Sequence, residues 1–532
     1  MSDDKVYGID LGTTYSAIAL VNDLEIPEII QNSEGNQTTP SVVLFEDEQS
    51  VTVGEVAKRS AASDPDETSL LIKRHMGTDY TQVYQNETYT PEAISSLILK
   101  SLVQGANASM DLDADQVVIT VPAYFGSQER EATKQAGQIA DLDVIGIVTE
   151  PVAAALSIGI DSTANETIMV YDLGGGTFDT TIMRLAQNNV EVLAVEGDRE
   201  LGGADWDEVL LQIVVDKFIE ETGIDDDPLS DPEFEIELRL EVEDAKKSLT
   251  GRSKSLPIRL NYEGAKASIT VTQEEFEEAT KHLVERTLEI TDRCIEVAKG
   301  KDPNLSLDRI LLVGGSSRMP MIPAAIKERF GVEAQPTEYD LAVAKGAAIY
   351  GKRVLSGEVI TNVGTIEPTA GGDDGGPFLS PSGKPATVIT NVLSRSVGLQ
   401  FFDPDEDKHY IGFFAHSNDQ IPLSTTSTAR TLEDGQESVL VSIYEQAGDR
   451  ESENPEDNRL LKERELDIPV PNLPKGSPVE IEFSISSEGL ITVVCTEPKS
   501  GNSITVEAAV SILTEEQVAE EKKKVSNLMV QD

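Results

Sequence analysis

The stretch VYGIDLGTTYSAIAL, Val6 to Leu20, reads as two strands joined by a turn that carries chemistry. Its ends are apolar and β-branched with a rough two-residue alternation, the pattern of a partly buried strand. Its middle, Asp10-Leu-Gly12-Thr13-Thr14, puts a carboxylate, a glycine and two hydroxyls where a plain hairpin needs none of them. The chain repeats the design in IMVYDLGGGTFDTTIMRL, Ile168 to Leu185, with Asp172 and Asp179 flanking Gly174, Gly175, Gly176 and Thr177. Two such units imply an internal duplication whose turns grip one ligand from both sides. Glycines let backbone N–H groups approach oxygens closely, successive N–H groups form an anion-binding nest, and threonine hydroxyls add donors. Asp10 and Asp172 repel phosphate, so they fit a polyphosphate only with a hard cation such as Mg²⁺ between, held through water. A third glycine turn, Gly314-Gly315 in ILLVGGSSRMP, follows an apolar strand and precedes a helical segment whose N-terminus suits a nucleotide. Each turn alone is ordinarily only a hairpin; the three in order are the signal.

Composition narrows the field. The chain has 532 residues, room for two to four domains at about 150 residues each. Lys and Arg number 43 against 95 Asp and Glu, a formal net charge of -52. That field repels nucleic-acid backbones and anionic membrane surfaces. Such a surface suits a saline cytoplasm, although an ordinary one accommodates it too. Cys294 and Cys495 stand far apart and form no disulfide framework, and the four histidines show no metal-ligand spacing. No basic-then-apolar leader opens the sequence, and no apolar run approaches the roughly 18 residues of a membrane span. These features predict a soluble cytoplasmic protein with no nucleic-acid or membrane partner.

Strand-like and helical runs alternate over residues 1–355, which predicts an α/β domain. Thr90-Pro91 reads as a helix start, and Thr272 with Glu275 as a capping box opening one long helix towards Cys294. Residues 356–392, including PTAGGDDGGPFLSPSGKP, read as an insertion and linker. Residues 393–512 alternate with period two and turn at Gly and Pro, which predicts an all-β sandwich; VEIEFSISSEGLITVVCTE is the clearest hairpin. Residues 513–532 begin a helix with a capping box at Thr514 and Gln517.

The set GIDLGTTYS, ITVPAYF, EPVAAAL, DLGGGTFD, LLVGGSSRMP, NDQIPLS and EDGQESVLVSIYE resembles the seventy-kilodalton heat-shock chaperones of DnaK type, over essentially the whole chain. The resemblance implies an actin-like ATPase domain of duplicated ribonuclease-H-like halves, a peptide-binding sandwich and the start of a helical lid. It implies ATP or ADP with Mg²⁺ and K⁺ as cofactors, and slow hydrolysis that switches affinity for extended hydrophobic segments of unfolded polypeptides. By the same match, Gly12, Thr13, Thr14, Tyr15, Gly174, Gly175, Gly176, Gly202 and Gly203 cradle the nucleotide, and Asp10 and Asp172 organise hydrated cations. Lys73 stands by the γ-phosphate, Glu150 and Thr177 position the attacking water, and Asp179 supports that shell. Glu243, Lys246, Lys247, Gly314, Gly315, Ser316, Arg318 and Asp340 complete the adenosine pocket. Leu399, Phe402, Leu432, Val439 and Val441 match the peptide groove, and Pro122, Arg130, Val388 and Ile389 the coupling between domains. J-domain co-chaperones and nucleotide exchange factors are the implied partners.

The chain departs from the family at several points. TVITNV replaces an acidic, leucine-rich linker; Gly146 replaces an arginine often found where J domains dock; His75 to Thr90 is short; Lys247 stands for an adenine-facing arginine; and the lid stops after its first helix. Two alternatives therefore stay beside the chaperone: a nucleotide-binding regulatory or assembly relative, and a small-molecule kinase on the same fold.

Overall fold

The computed structural model describes residues 5–159, 165–186, 189–251, 254–360, 386–448, 450–486, 489–508 and 513–531. The glycine-rich insertion expected before the linker lies largely outside them, as does the tip of the turn before Gly489.

Two sheets of one design build the α/β part. In the first, β1 (Tyr7–Asp10) runs antiparallel to β2 (Tyr15–Val21), and β2 antiparallel to β3 (Pro27–Ile29). An inserted small sheet holds β4 (Val43–Phe45), β5 (Ser50–Val53) and β6 (Thr68–Ser69). Helix α1 (Pro91–Met110) then leads to β7 (Gln116–Val121), parallel to β1; α2 (Ser127–Ile139) leads to β8 (Asp143–Thr149), parallel to β7; and α3 (Glu150–Ser157) follows. The sheet order is β8-β7-β1-β2-β3. In the second, β9 (Asn165–Leu173), β10 (Phe178–Ala186) and β11 (Asn189–Asp198) form the antiparallel run. Helices α4 (Gly203–Thr222), α5 (Pro232–Gly251), α6 (Gln273–Ala279) and α7 (Lys281–Lys301) intervene before β12 (Arg309–Val313), α8 (Met321–Phe330), β13 (Ala334–Pro336) and α9 (Ala342–Leu355). The order β13-β12-β9-β10-β11 repeats the first sheet strand for strand, with β12 parallel to β9 and β13 parallel to β12.

Local chemistry sets these boundaries. Thr90 caps α1, its side chain accepting from Ala93 N, with Pro91 at the first helical position. Thr272 caps α6 in the same way, accepting from Glu275 N, but the expected long helix breaks at Thr280 and restarts as α7. Thr280 is fully buried and donates its hydroxyl to the Phe276 carbonyl at 2.8 Å, a local bond that competes with helix continuation.

The segment expected as the linker forms β14 (Thr387–Val392), parallel to β11, pairing Val388 with Asn189 and Ile389 with Val190. Beyond it, β15 (Val397–Asp403), β16 (Lys408–Ala415), β17 (Leu423–Arg430), β18 (Ser438–Gln446), β19 (Asn458–Asp467), β20 (Pro478–Ile485), β21 (Ile491–Glu497) and β22 (Asn502–Ala508) form two antiparallel four-stranded sheets. Their orders are β16-β15-β18-β19 and β17-β20-β21-β22. One core of Val397, Ile443, Val479, Phe483, Ile491, Val493 and Val506, among others, lies between them. The alternate residues face outward, the signature of two sheets packed face to face.

The C-terminal segment returns to the α/β part. Thr514 and Gln517 form the expected capping box of α10 (Glu515–Ser526). That helix packs against α1 and α2. The following β23 (Met529–Gln531) then adds to the small sheet, parallel to β5.

Candidate functional site

A cleft of about 590 Å³ lies between the two like-built sheets. Its floor is made at the carboxyl ends of parallel strands, where open α/β sheets bind ligands. Asp10 ends β1, Asp172 stands near the end of β9, Glu150 follows β8 and Gly314-Gly315 follow β12. The repeated strand order therefore puts corresponding strand ends face to face.

Lys73 and Glu150, 77 residues apart, meet on that floor with Nζ 2.8 Å from Oε1, both buried. Asp10 accepts from the Thr120 hydroxyl at 3.1 Å, and Asp179 from the Tyr124 N–H at 3.3 Å. Burial and the neighbouring Glu150 push Asp10 up to about 7, against the pull of Lys73. Burial, Glu150 and Asp10 raise Asp172; burial, Glu150 and Asp172 raise Asp179. One ammonium cannot neutralise four acidic side chains, so this floor favours their protonation or a hard cation such as Mg²⁺ held through water.

The second glycine turn is stitched to the next helix. Gly203 N donates to Gly174 O at 2.9 Å and Ala204 N to Gly175 O at 2.7 Å, so α4 starts on the second turn. The contact requires glycine: a Cβ on Gly202 would stand 2.5 Å from the Gly176 backbone. Thr13 is buried, and Thr14, Gly12 and Thr177 are half-buried around the cleft.

The outer pocket holds a network. Tyr15 OH donates to Glu243 at 3.2 Å and accepts from Lys58 at 2.7 Å and Lys247 at 3.0 Å. Both lysines also reach Glu243 at 2.6 Å. Burial raises Glu243, but Lys58 and Lys247 outweigh it and bring the group down to about 2. Lys246 is buried against Asp207 at 2.7 Å and Gly203 O at 2.8 Å. Arg318 pairs with Asp340 at 2.6 Å over the Tyr339 ring, and Ser316 is buried beside them. The charged stretch EVEDAKKSL is thus two-faced: Glu243 and Lys246 turn inward from α5, while Glu241, Asp244 and Lys247 stay exposed.

Lys58 and Arg74 were not singled out by the sequence. Arg74 donates Nε and Nη2 to Gly176 O at 3.1 and 2.9 Å, and Nη2 to Asp205 at 3.1 Å, tying the segment of Lys73 to the second glycine turn. Their partners lie 185 and 102 residues away, and no local pattern encodes them.

The remaining expected residues fall elsewhere. Leu399 and Val441 lie in the core between the two β sheets, with Val439 packed on it; Phe402 rests against His409, and Leu432 is exposed. Pro122 is buried, and Arg130 donates to the carbonyls of Phe125 at 2.9 Å and Ala123 at 3.2 Å, bracing the loop on which Ser394 docks. Gly146 sits in β8 beneath the Tyr350 ring. Among the described residues, no cluster of three or more His, Cys, Asp or Glu forms a metal site, and no helix is long and apolar enough to cross a membrane. Both cysteines are free and buried.

A two-lobed cleft floored by carboxylates and joined to a second, all-β unit is the architecture of a two-domain α/β and all-β protein with its candidate site between the lobes. A family model described as Hsp70 protein matches residues 6–366 and 388–532. Chaperone protein DnaK of Halobacterium salinarum, in two strains, is 37% identical over 537 residues, which cover 98% of this chain and 77% of the relative. The chain belongs to the Hsp70 family, and as such is an ATP-hydrolysing molecular chaperone. Neither the kinase nor the regulatory reading is favoured by this membership.

Proposed function

We propose that the two like-built lobes form an actin-like ATPase domain over residues 1–355, that 356–392 insert and link, that 393–512 bind peptide, and that 513–532 begin the lid. The repeated strand order supports the first assignment and the shared core of the two β sheets the third. The chain takes ATP with Mg²⁺, and we assign K⁺ to the same acidic floor. It works in the cytoplasm, a reading in keeping with two free cysteines. Extended hydrophobic segments of unfolded polypeptides are its clients; a J-domain protein and an exchange factor act with it.

One observation carries the site assignment: the buried Lys73–Glu150 pair among Asp10, Asp172 and Asp179. Bound Mg²⁺ supplies charge neutralisation at the phosphates. Lys73 stabilises charge that develops on the transferred phosphoryl group. Glu150 and Thr177 orient water, which is the nucleophile, and Asp179 fixes their surroundings. The glycine turns with Thr13 and Thr14 hold the phosphates, while Glu243, Lys246, Lys247, Ser316, Arg318 and Asp340 hold the nucleoside. Leu399, Phe402, Leu432, Val439 and Val441 take the peptide.

The test is ATP turnover with and without an unfolded peptide, beside single-turnover cleavage by Lys73→Ala. Peptide should stimulate turnover. Lys73→Ala should still bind ATP and cleave it about two orders of magnitude more slowly. Cleavage at the unmutated rate removes Lys73 from the mechanism, and turnover that responds to a sugar but not to peptide overturns the chaperone assignment.

A further inference from the structure

Where the β domain meets the ATPase domain, two carboxylates are buried together. Glu445, on β18, and Glu129, on α2, are each 1% exposed. A Cβ on Gly126 would stand 2.9 Å from both Glu445 oxygens and 3.0 Å from Glu129 Oε2, so the two side chains converge on one point from opposite domains.

Their surroundings differ. Glu129 Oε1 takes Arg199 Nη2 at 2.5 Å, with Arg459 Nη1 at 3.6 Å and Arg395 Nη2 at 3.9 Å. Glu445 has no cation within 4.0 Å among the described residues. It accepts one long N–H, from Ser127 at 3.4 Å, and its Oε2 has no partner, like Oε2 of Glu129. Apart from Tyr124, the other charged or titratable groups around the seam are engaged elsewhere. Arg130 is bound to two carbonyls, Arg459 also reaches Gln128 at 2.7 Å, and His416 pairs with Glu451 at the outer edge. The buried Tyr124 hydroxyl has no partner.

An ionised carboxylate with one weak donor and a like charge beside it is costly to bury. A protonated one is neutral and no longer repels Glu129. We propose that this seam is a proton-binding site: Glu445 takes a proton from solvent when the domains dock and returns it on undocking, so docking is tied to pH. The proposal rests on the chaperone reading, in which docking is the state that releases peptide.

Burial and then the Glu129 charge push Glu445 up to about 7 in the docked chain, with Arg395 and Arg459 pulling the other way. In the undocked chain the side chain meets water and keeps its ordinary value of 4.5. The docked state therefore holds more protons between these values. Docking weakens as pH rises through that window and levels off above about 7.

The experiment is energy transfer between dyes on one introduced cysteine in each domain of the full chain, in ATP, across pH 6 to 8. Cys294 and Cys495 are buried and stay unlabelled. The docked-to-undocked ratio should fall about tenfold over the range. Glu445→Gln should hold it flat, and His416→Gln should leave the unmutated slope intact. Peptide binding without nucleotide checks that each variant is folded. A change under twofold in the unmutated chain, or the same slope in Glu445→Gln, overturns the proposal. Failure of ATP to speed peptide release would instead refute the coupling of docking to release, and leaves the docking titration readable.

Discussion

Asp10 shows how the site is built against its own stability. At about 7 its carboxyl is far above the ordinary 3.8. A raised group of this kind contributes stability that is present at low pH and lost as pH climbs through the folded value. The nucleotide-free chain should accordingly melt lower at pH 8 than at pH 5. Asp10→Asn should recover part of that loss and raise the pH 8 midpoint, while the Mg²⁺ dependence of nucleotide binding disappears. A variant that melts below the unmutated chain at pH 8 would show that Asp10 is not strained by its neighbours. At this scale the sequence was informative where the chemistry is local: the glycine turns, their threonines and both aspartates were legible. Lys58 and Arg74 were not, because a lone basic residue is equally at home in solvent, and only the closure of the two lobes gives each its partner.

Among elements, β14 is the one on which the proposed coupling between domains rests. TVITNV reads as a short apolar strand, and it forms β14 on the open edge of β11, with Val388 and Ile389 buried. Two aspartates there would be desolvated in the docked chain but solvated in the undocked one. Val388→Asp with Ile389→Asp should leave peptide affinity without nucleotide unchanged and abolish acceleration of release by ATP; release kinetics of a fluorescent peptide check it, and retained acceleration would remove β14 from the coupling. Strand periodicity and caps made the two glycine-turn hairpins, the β hairpin at Val479 and the starts of α1, α6 and α10 readable in advance. The break at Thr280 was not, because it depends on a buried hydroxyl rather than on Gly or Pro. The return of α10 and β23 to the first lobe was equally invisible, since edge pairing to β5 rests on backbone groups that any sequence carries.

For the whole molecule, the net charge of -52 sets the conditions under which it is compact. Self-repulsion of that size opposes folding, and salt screens it, with a Debye length of roughly 3 Å at 1 M. With saturating nucleotide, the thermal midpoint should rise from low to molar potassium chloride; a flat midpoint would count against an adapted surface. Scale also decides what held together as a prediction. The duplication was readable from two matching turns, yet the sealed seam at Glu129 and Glu445 was not, because its members come from both domains. The central claim is that ATP drives the docked arrangement and thereby frees the client. Stopped-flow release of a fluorescent apolar peptide from the full chain tests it most directly. Release should be faster with ATP than with ADP, and equal rates would contradict it.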